Sequence, residues 1–171
     1  MILEILKYTI PALIVFFTTY LVLNKLINNE DKRRKVEAIL NNQKLITPIR
    51  LQAYERMILM LERISPQSLV LRTQKPKMTN QQLQTALLKN IRSEFEHNMA
   101  HQLYISDKAW ENIKTAKENL LKLINQNAIS LKPESPAIQL SKYILEKILD
   151  SDKDPTQKAI GYLKTEIRTL F

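Results

Sequence analysis

Apolar and polar positions alternate in two different ways along this chain. Over Tyr8–Ile27 (YTIPALIVFFTTYLVLNKLI) apolar residues predominate, and Phe16 to Leu23 offers no polar face. From Thr47 onward they recur every three or four residues, the spacing of one buried helix face. The first pattern predicts a transmembrane helix, the second a soluble all-α bundle.

The first run carries no charge from Tyr8 to Asn24 and is bounded by Lys7 and Lys25. As a helix it covers about 25 Å, slightly short of a hydrocarbon core of ~30 Å, and snorkelling lysines extend it at both ends. Pro11 falls in its first turn, where a missing N–H costs least. Phe16, Phe17 and Leu23 fill its length, and Tyr8 and Tyr20 are aromatics of the kind found near membrane interfaces. A cleaved secretory signal fits less well: Glu4 offsets Lys7 before the run, and no Ala-x-Ala-like site follows it. Lys25, Lys32, Arg33, Arg34 and Lys35 follow the run, whereas only Lys7 precedes it. By the positive-inside rule the C-terminal side is cytoplasmic, which predicts a single pass through the inner (cytoplasmic) membrane with the N-terminus outside.

The periodic part begins after a basic stretch, 28–46, which reads as a linker, a short amphipathic helix on the membrane surface, or a continuation of the anchor helix. Thr47-Pro48 has the form of an N-cap followed by proline at the first helical position, predicting a helix to about Ile64. Leu51, Tyr54, Met57, Ile58 and Leu61 share its inner face, widened by Leu59 and Met60. The segment SPQSLVLRTQKPK reads as a loop with Leu69 and Leu71 tucked inward and a basic tip of Arg72, Lys75 and Lys77. Thr79 and Gln82 form a capping box, and the helix after them is expected to reach about Leu103 with a stripe of Leu83, Leu87, Ile91, Phe95 and Met99. Ser106-Asp107 opens a further helix to about Asn127, with Trp110 as a core residue. Pro136 and Asp154-Pro155 start two more, expected to pair as a hairpin. The organisation predicted is an anchor at 1–27, a basic segment at 28–46, and a bundle of about five helices at 47–171.

Composition removes whole classes of chemistry. There is no cysteine, hence no disulfide framework and no thiolate metal site, and there is one glycine, Gly161. Phosphate-binding loops, dinucleotide fingerprints and nucleophile elbows all need glycines where backbone approaches a ligand or turns tightly. The net charge of +9 suits anionic lipid headgroups, and Lys25 and Lys32–Lys35 are the candidate contacts. The remaining basic residues are spread among acids rather than gathered in a stripe, which argues against nucleic acid.

One constellation has metal-ligand spacing: Glu94, His97 and His101, at i, i+3 and i+7. The HExxH order is absent, and with two histidines in the chain the duplicated Glu-x-x-His motif of di-iron bundles cannot be built. The plainer expectation is two interfacial histidines hydrogen-bonding at the core edge, so no metal and no cofactor is assigned.

The segments Ser65–Arg72 (SPQSLVLR), Glu94–Asn98 (EFEHN) and Ser106–Glu118 (SDKAWENIKTAKE) resemble an uncharacterised bacterial family of single-pass membrane proteins with a helical cytosolic domain. The resemblance covers nearly the whole chain and implies that architecture without a known activity. The functional expectation is a non-enzymatic scaffold or adaptor holding a partner protein at the cytoplasmic face. Two alternatives stand beside it: a peripheral binder of anionic lipid or nucleic acid, and a metal-dependent enzyme at Glu94, His97 and His101. Homo-oligomerisation through the anchor is a further option, although the span has no GxxxG-type face.

Overall fold

The computed structural model describes the backbone of residues 2–151 and 154–170, and the side chains within them except those of 2–12, 28, 150 and 151. The described residues are all-α, with one isolated bridge between Thr79 and Pro136. Six α-helices follow one another: α1 (Ile2–Ile64), α2 (Pro66–Thr73), α3 (Asn80–Asn98), α4 (Asp107–Ile129), α5 (Ala137–Ser151) and α6 (Pro155–Leu170). A 3-10 helix, Met99–Leu103, lies between α3 and α4. The chain forms two compact units, Met1–Thr47 and Pro48–Phe171.

The first unit is the N-terminal part of α1. Every described side chain from Leu13 to Ile46 is exposed, so nothing in this unit covers its apolar residues. Among the described residues no helix is long and apolar enough to cross a membrane, and the transmembrane helix expected over 1–27 is not supported by them. Tyr8 and Pro11, on which that expectation leaned, have side chains outside the described set. Residues 28–46 are helical throughout, the third of the forms considered for them.

The second unit has a continuous core. Residues 53–64 contribute Ala53, Tyr54, Met57, Met60, Leu61 and Ile64, a run of three- and four-residue steps that puts them on one helix face. They meet Leu83, Leu87 and Ile91 of α3, Ile113, Leu120 and Ile124 of α4, and smaller sets from α2, α5 and α6. Phe95 and Trp110 stack with ring centroids 5.1 Å apart, joining α3 to α4, and the Lys117 Nζ lies 4.2 Å from the Phe95 ring centre.

The helix starts follow the sequence where polar caps define them. The Gln82 N–H donates to Thr79 Oγ1 at 3.3 Å, and the Thr79 N–H to Gln82 Oε1 at 3.2 Å, completing the capping box of α3. Ser106 Oγ accepts from the Ala109 N–H at 3.0 Å at the start of α4. Asp154 Oδ1 accepts from both the Thr156 N–H and its hydroxyl, fixing the start of α6. Asn80 ties the α3 start to the turn before α5: its side chain donates to the Lys132 carbonyl and accepts from the Leu140 N–H.

Several expectations need correction. Thr47 is not an N-cap, because α1 runs through Pro48; the lost N–H and the ring clash of one proline do not end a helix whose next turns are held by core packing. Residues 66–73 are a short helix rather than a loop: Pro66 supplies the fixed φ of a first turn, and Leu69 and Val70 are buried. Leu71 instead points outward at 71% exposure, and Leu51 and Leu59 are also exposed. The α3 helix stops at Asn98, and the 3-10 turn that follows leaves Met99 exposed. The hairpin expected of the last two helices is not what the described residues favour: among them α6 packs chiefly on α4, while α5 lies on α3 and α4. A stripe shows that a helix has an inner face without naming the neighbour that covers it. Among the described residues the bundle thus has six α-helical pieces, residues 48–64 and α2–α6, where about five were expected.

Candidate functional site

The residues singled out for metal chemistry lie along the groove between residues 48–64 and α3. Arg63 Nε and a terminal guanidinium nitrogen both reach Glu94 Oε1, at 2.8 and 2.7 Å. Glu94 is pinned from its own helix as well, since Asn98 Nδ2 donates to its carbonyl at 2.8 Å. The carboxylate considered as a metal ligand is therefore engaged through Oε1 by an arginine.

His97 lines the groove beside Glu94, with Arg56, Leu59, Met60, Arg63, Ser93 and Asn98, around a space of about 340 Å³. His101 does not line it. It lies in the 3-10 helix, whose tighter winding takes it off the α-helical register that would have stacked it one turn above His97. Among the described residues no three His, Asp or Glu side chains come together in a way that could hold a metal.

What the groove offers is an interaction surface. Two arginines a double turn apart, Arg56 and Arg63, flank the exposed Leu59, and Ser93 and His97 face them from α3. Arg56 and Arg63 lie off the stripe of buried residues on 48–64, and only the antiparallel approach of α3 makes them border a groove. A wider cleft of about 560 Å³ lies among α4, α5 and α6, lined by Asn112, Asn119, Leu123 and Ile148 with Lys147 and Lys158 at its edge.

The polar end of the bundle was not legible in the sequence. Tyr54 is fully buried, and its hydroxyl accepts from the Ser106 N–H at 3.4 Å. Burial raises its phenol above the usual value, and the nearby Glu166 carboxylate raises it further, whereas the Ser106 N–H and the Arg50 guanidinium act the other way. One carboxylate oxygen of Glu166 is buried without a hydrogen-bond partner. Arg50 donates to the Tyr104 carbonyl at 3.3 Å, closing the same end.

Among the basic candidates, Lys25, Lys32, Arg33, Arg34 and Lys35 are all exposed on the first unit. Arg33 pairs with Glu37 at 3.3 Å and Arg34 with Glu30 at 3.8 Å, each one helical turn away. At the tip between α2 and α3, the Arg72 guanidinium donates to the Arg63 carbonyl, so it braces the bundle as well as carrying charge. Lys77 holds a φ of 65°, in the left-handed region. Of the anchor candidates, Phe16, Phe17, Tyr20 and Leu23 are exposed on α1.

No curated protein and no solved structure matches the chain. A family model matches over residues 1–170, spanning both units, and it is described as a family of unknown function, DUF7935. The chain belongs to that family of unknown function.

Proposed function

We propose that this protein is a membrane-anchored helical adaptor, with no catalysis of its own. In this reading the first part of α1 spans the inner membrane with the N-terminus outside, and the bundle works at the cytoplasmic face. The observation that carries it is the exposure of Leu13–Leu23: Phe16 stands at 69% and Phe17 at 62%, with apolar residues on every side of the helix. A helix apolar all round is covered by protein or by lipid, and this unit supplies no protein cover. Lys25 and Lys32–Lys35 follow the apolar run on one side, as the positive-inside rule requires of a cytoplasmic flank.

The adaptor half rests on the groove of Arg56, Leu59 and Arg63, a charged rim around an exposed leucine between two helices, which is a form that recognises another helix. Full-length protein taken from native membranes in mild detergent, beside a form lacking residues 1–27, tests it. A stoichiometric companion is expected, lost from a Leu59→Asp, Arg56→Glu variant. Protein emerging alone from both preparations at moderate salt contradicts the reading.

A second reading has its own observation. Leu71 and Ile138 are exposed around the Lys75–Lys77 tip, pairing apolar side chains with cations as a contact to anionic lipid would. It predicts vesicle binding that falls steeply with salt, whereas recognition through the helix groove does not.

A further inference from the structure

We propose that residues 29–46 of α1 pair with the same segment of a second copy of this chain, as a short parallel two-helix coiled coil. The inference rests on the anchored reading above for its orientation, and on the side-chain pattern of this segment for its seam.

The pattern changes after Asn28. Before it, apolar residues surround the helix; after it the large ones are Val36, Ile39, Leu40, Leu45 and Ile46, all about half exposed or more, and all but Leu45 lie towards one side. With Val36 at position a of a heptad, Ile39 and Ile46 fall at d, and Leu40 falls at e on the shoulder. The a positions on either side are Asn29 and Gln43. Two of the three a positions are thus polar, which costs stability, and polar a residues set register and strand number in a paired helix. Lys32 occupies the remaining d position, where its methylene stem can cover apolar surface while the ammonium reaches water.

The charges agree with that seam. Glu30, Asp31 and Glu37 sit at b and c, away from it, and the Arg33–Glu37 and Arg34–Glu30 pairs close within one helix. No acid therefore faces an acid across a parallel pair, while Lys32 meets its own copy at d, a like-charge contact relieved only by turning both ammonium groups out to water. The surface also carries a shallow depression bounded by Asn29, Lys32, Arg33 and Val36, with Glu37 at one side. The first four stand at i, i+3, i+4 and i+7, the four-residue hole that receives a d-position side chain from a facing helix.

A lipid surface is the other cover for such a stripe. It is disfavoured because the segment continues the helix of the apolar run without a break, so it leaves the bilayer along the helix axis instead of lying flat. Anchoring also favours the pair: two copies held in one membrane share orientation and meet at high effective concentration, which offsets the shortness of the seam.

The cysteine-free sequence makes the test direct. Single cysteines would be placed in the full-length protein at Val36, Ile39 and Ile46 on the seam, and at Ala38, Asn41 and Leu45 on the far side. Mild oxidation of native membranes should give disulfide-linked dimer severalfold more at the three seam positions. Equal yields on both faces, or none on the seam, would overturn the pairing. Seam cysteines that stay unlinked yet are shielded from a water-soluble maleimide place the stripe on lipid and overturn it too. If the protein is absent from the membrane fraction, the anchored reading fails by itself, and the same scan on concentrated purified protein then decides the pairing.

Discussion

The two units of this chain spend similar side chains in opposite ways. In the second, Leu83, Leu87, Ile91 and their partners reach zero exposure because six helical pieces cover one another. In the first, the apolar residues of Leu13–Leu23 and Val36, Ile39, Leu40, Leu45 and Ile46 are exposed, with nothing in the unit to cover them. The bundle's apolar residues are explained by its own packing, whereas those of the first unit stay exposed, and the proposed anchor gives them a cover outside the chain. On the proposed reading the contrast separates residues that serve stability from residues that serve placement and association.

The largest effect should come from charge in the arm. Replacing Phe16 and Phe17 by lysine costs about 2.5–3.5 kcal/mol each at mid-bilayer and is expected to move the protein from the membrane fraction to the supernatant. The bundle should be untouched, which circular dichroism melting of residues 48–171 within the full chain would verify. In the bundle, Leu87→Ala or Leu120→Ala removes a fully buried side chain and should lower stability by about 2–5 kcal/mol, measured by urea unfolding. Leu23→Ala is expected to leave the same unfolding curve unchanged, and a loss comparable to that of Leu87→Ala would erase the distinction between the units.

Smaller effects fall on caps and ion pairs. Thr79→Ala removes one half of the capping box and should cost about 1 kcal/mol in the same assay. Glu94→Gln should cost less than about 1 kcal/mol, since its partner Arg63 is more than half exposed and water replaces the lost pairing.

The subtlest effect is alkaline. The folded-state phenol of Tyr54 lies above its ordinary value of 10.0, so the folded chain holds that proton longer than the unfolded one. Its contribution is fully present below about pH 10 and is lost as pH rises through the folded value. Tyr54→Phe is expected to flatten that alkaline decline while losing about 1 kcal/mol at neutral pH from the unmet Ser106 N–H. An unchanged alkaline slope would count against the burial of this hydroxyl.

The sequence was readable where a local signal sets the structure. Thr79 with Gln82, and Ser106 with Asp107, marked helix starts because capping is decided within four residues. The stripe Leu83, Leu87, Ile91 and Phe95 was legible because its period is a property of one helix. It misled at Met99, where the winding tightens, and at Thr47-Pro48, where packing of later turns outweighs a local stop signal. It was silent on the partners of each face, so α6 was assigned to α5 rather than α4. The Glu94, His97 and His101 spacing had the same limit: the arginine that claims Glu94 comes from thirty-one residues away. The buried Tyr54 and Glu166 contact, between the two ends of the bundle sequence, left no local trace.

The most direct measurement is flotation. Full-length protein reconstituted into liposomes, washed with urea and carbonate, would be centrifuged through a density gradient beside the form lacking residues 1–27. Anchoring by α1 predicts that the full chain rises with the lipid after the wash and the truncated chain stays at the bottom. A full chain that is stripped from the vesicles, or a truncated chain that still floats, would contradict it.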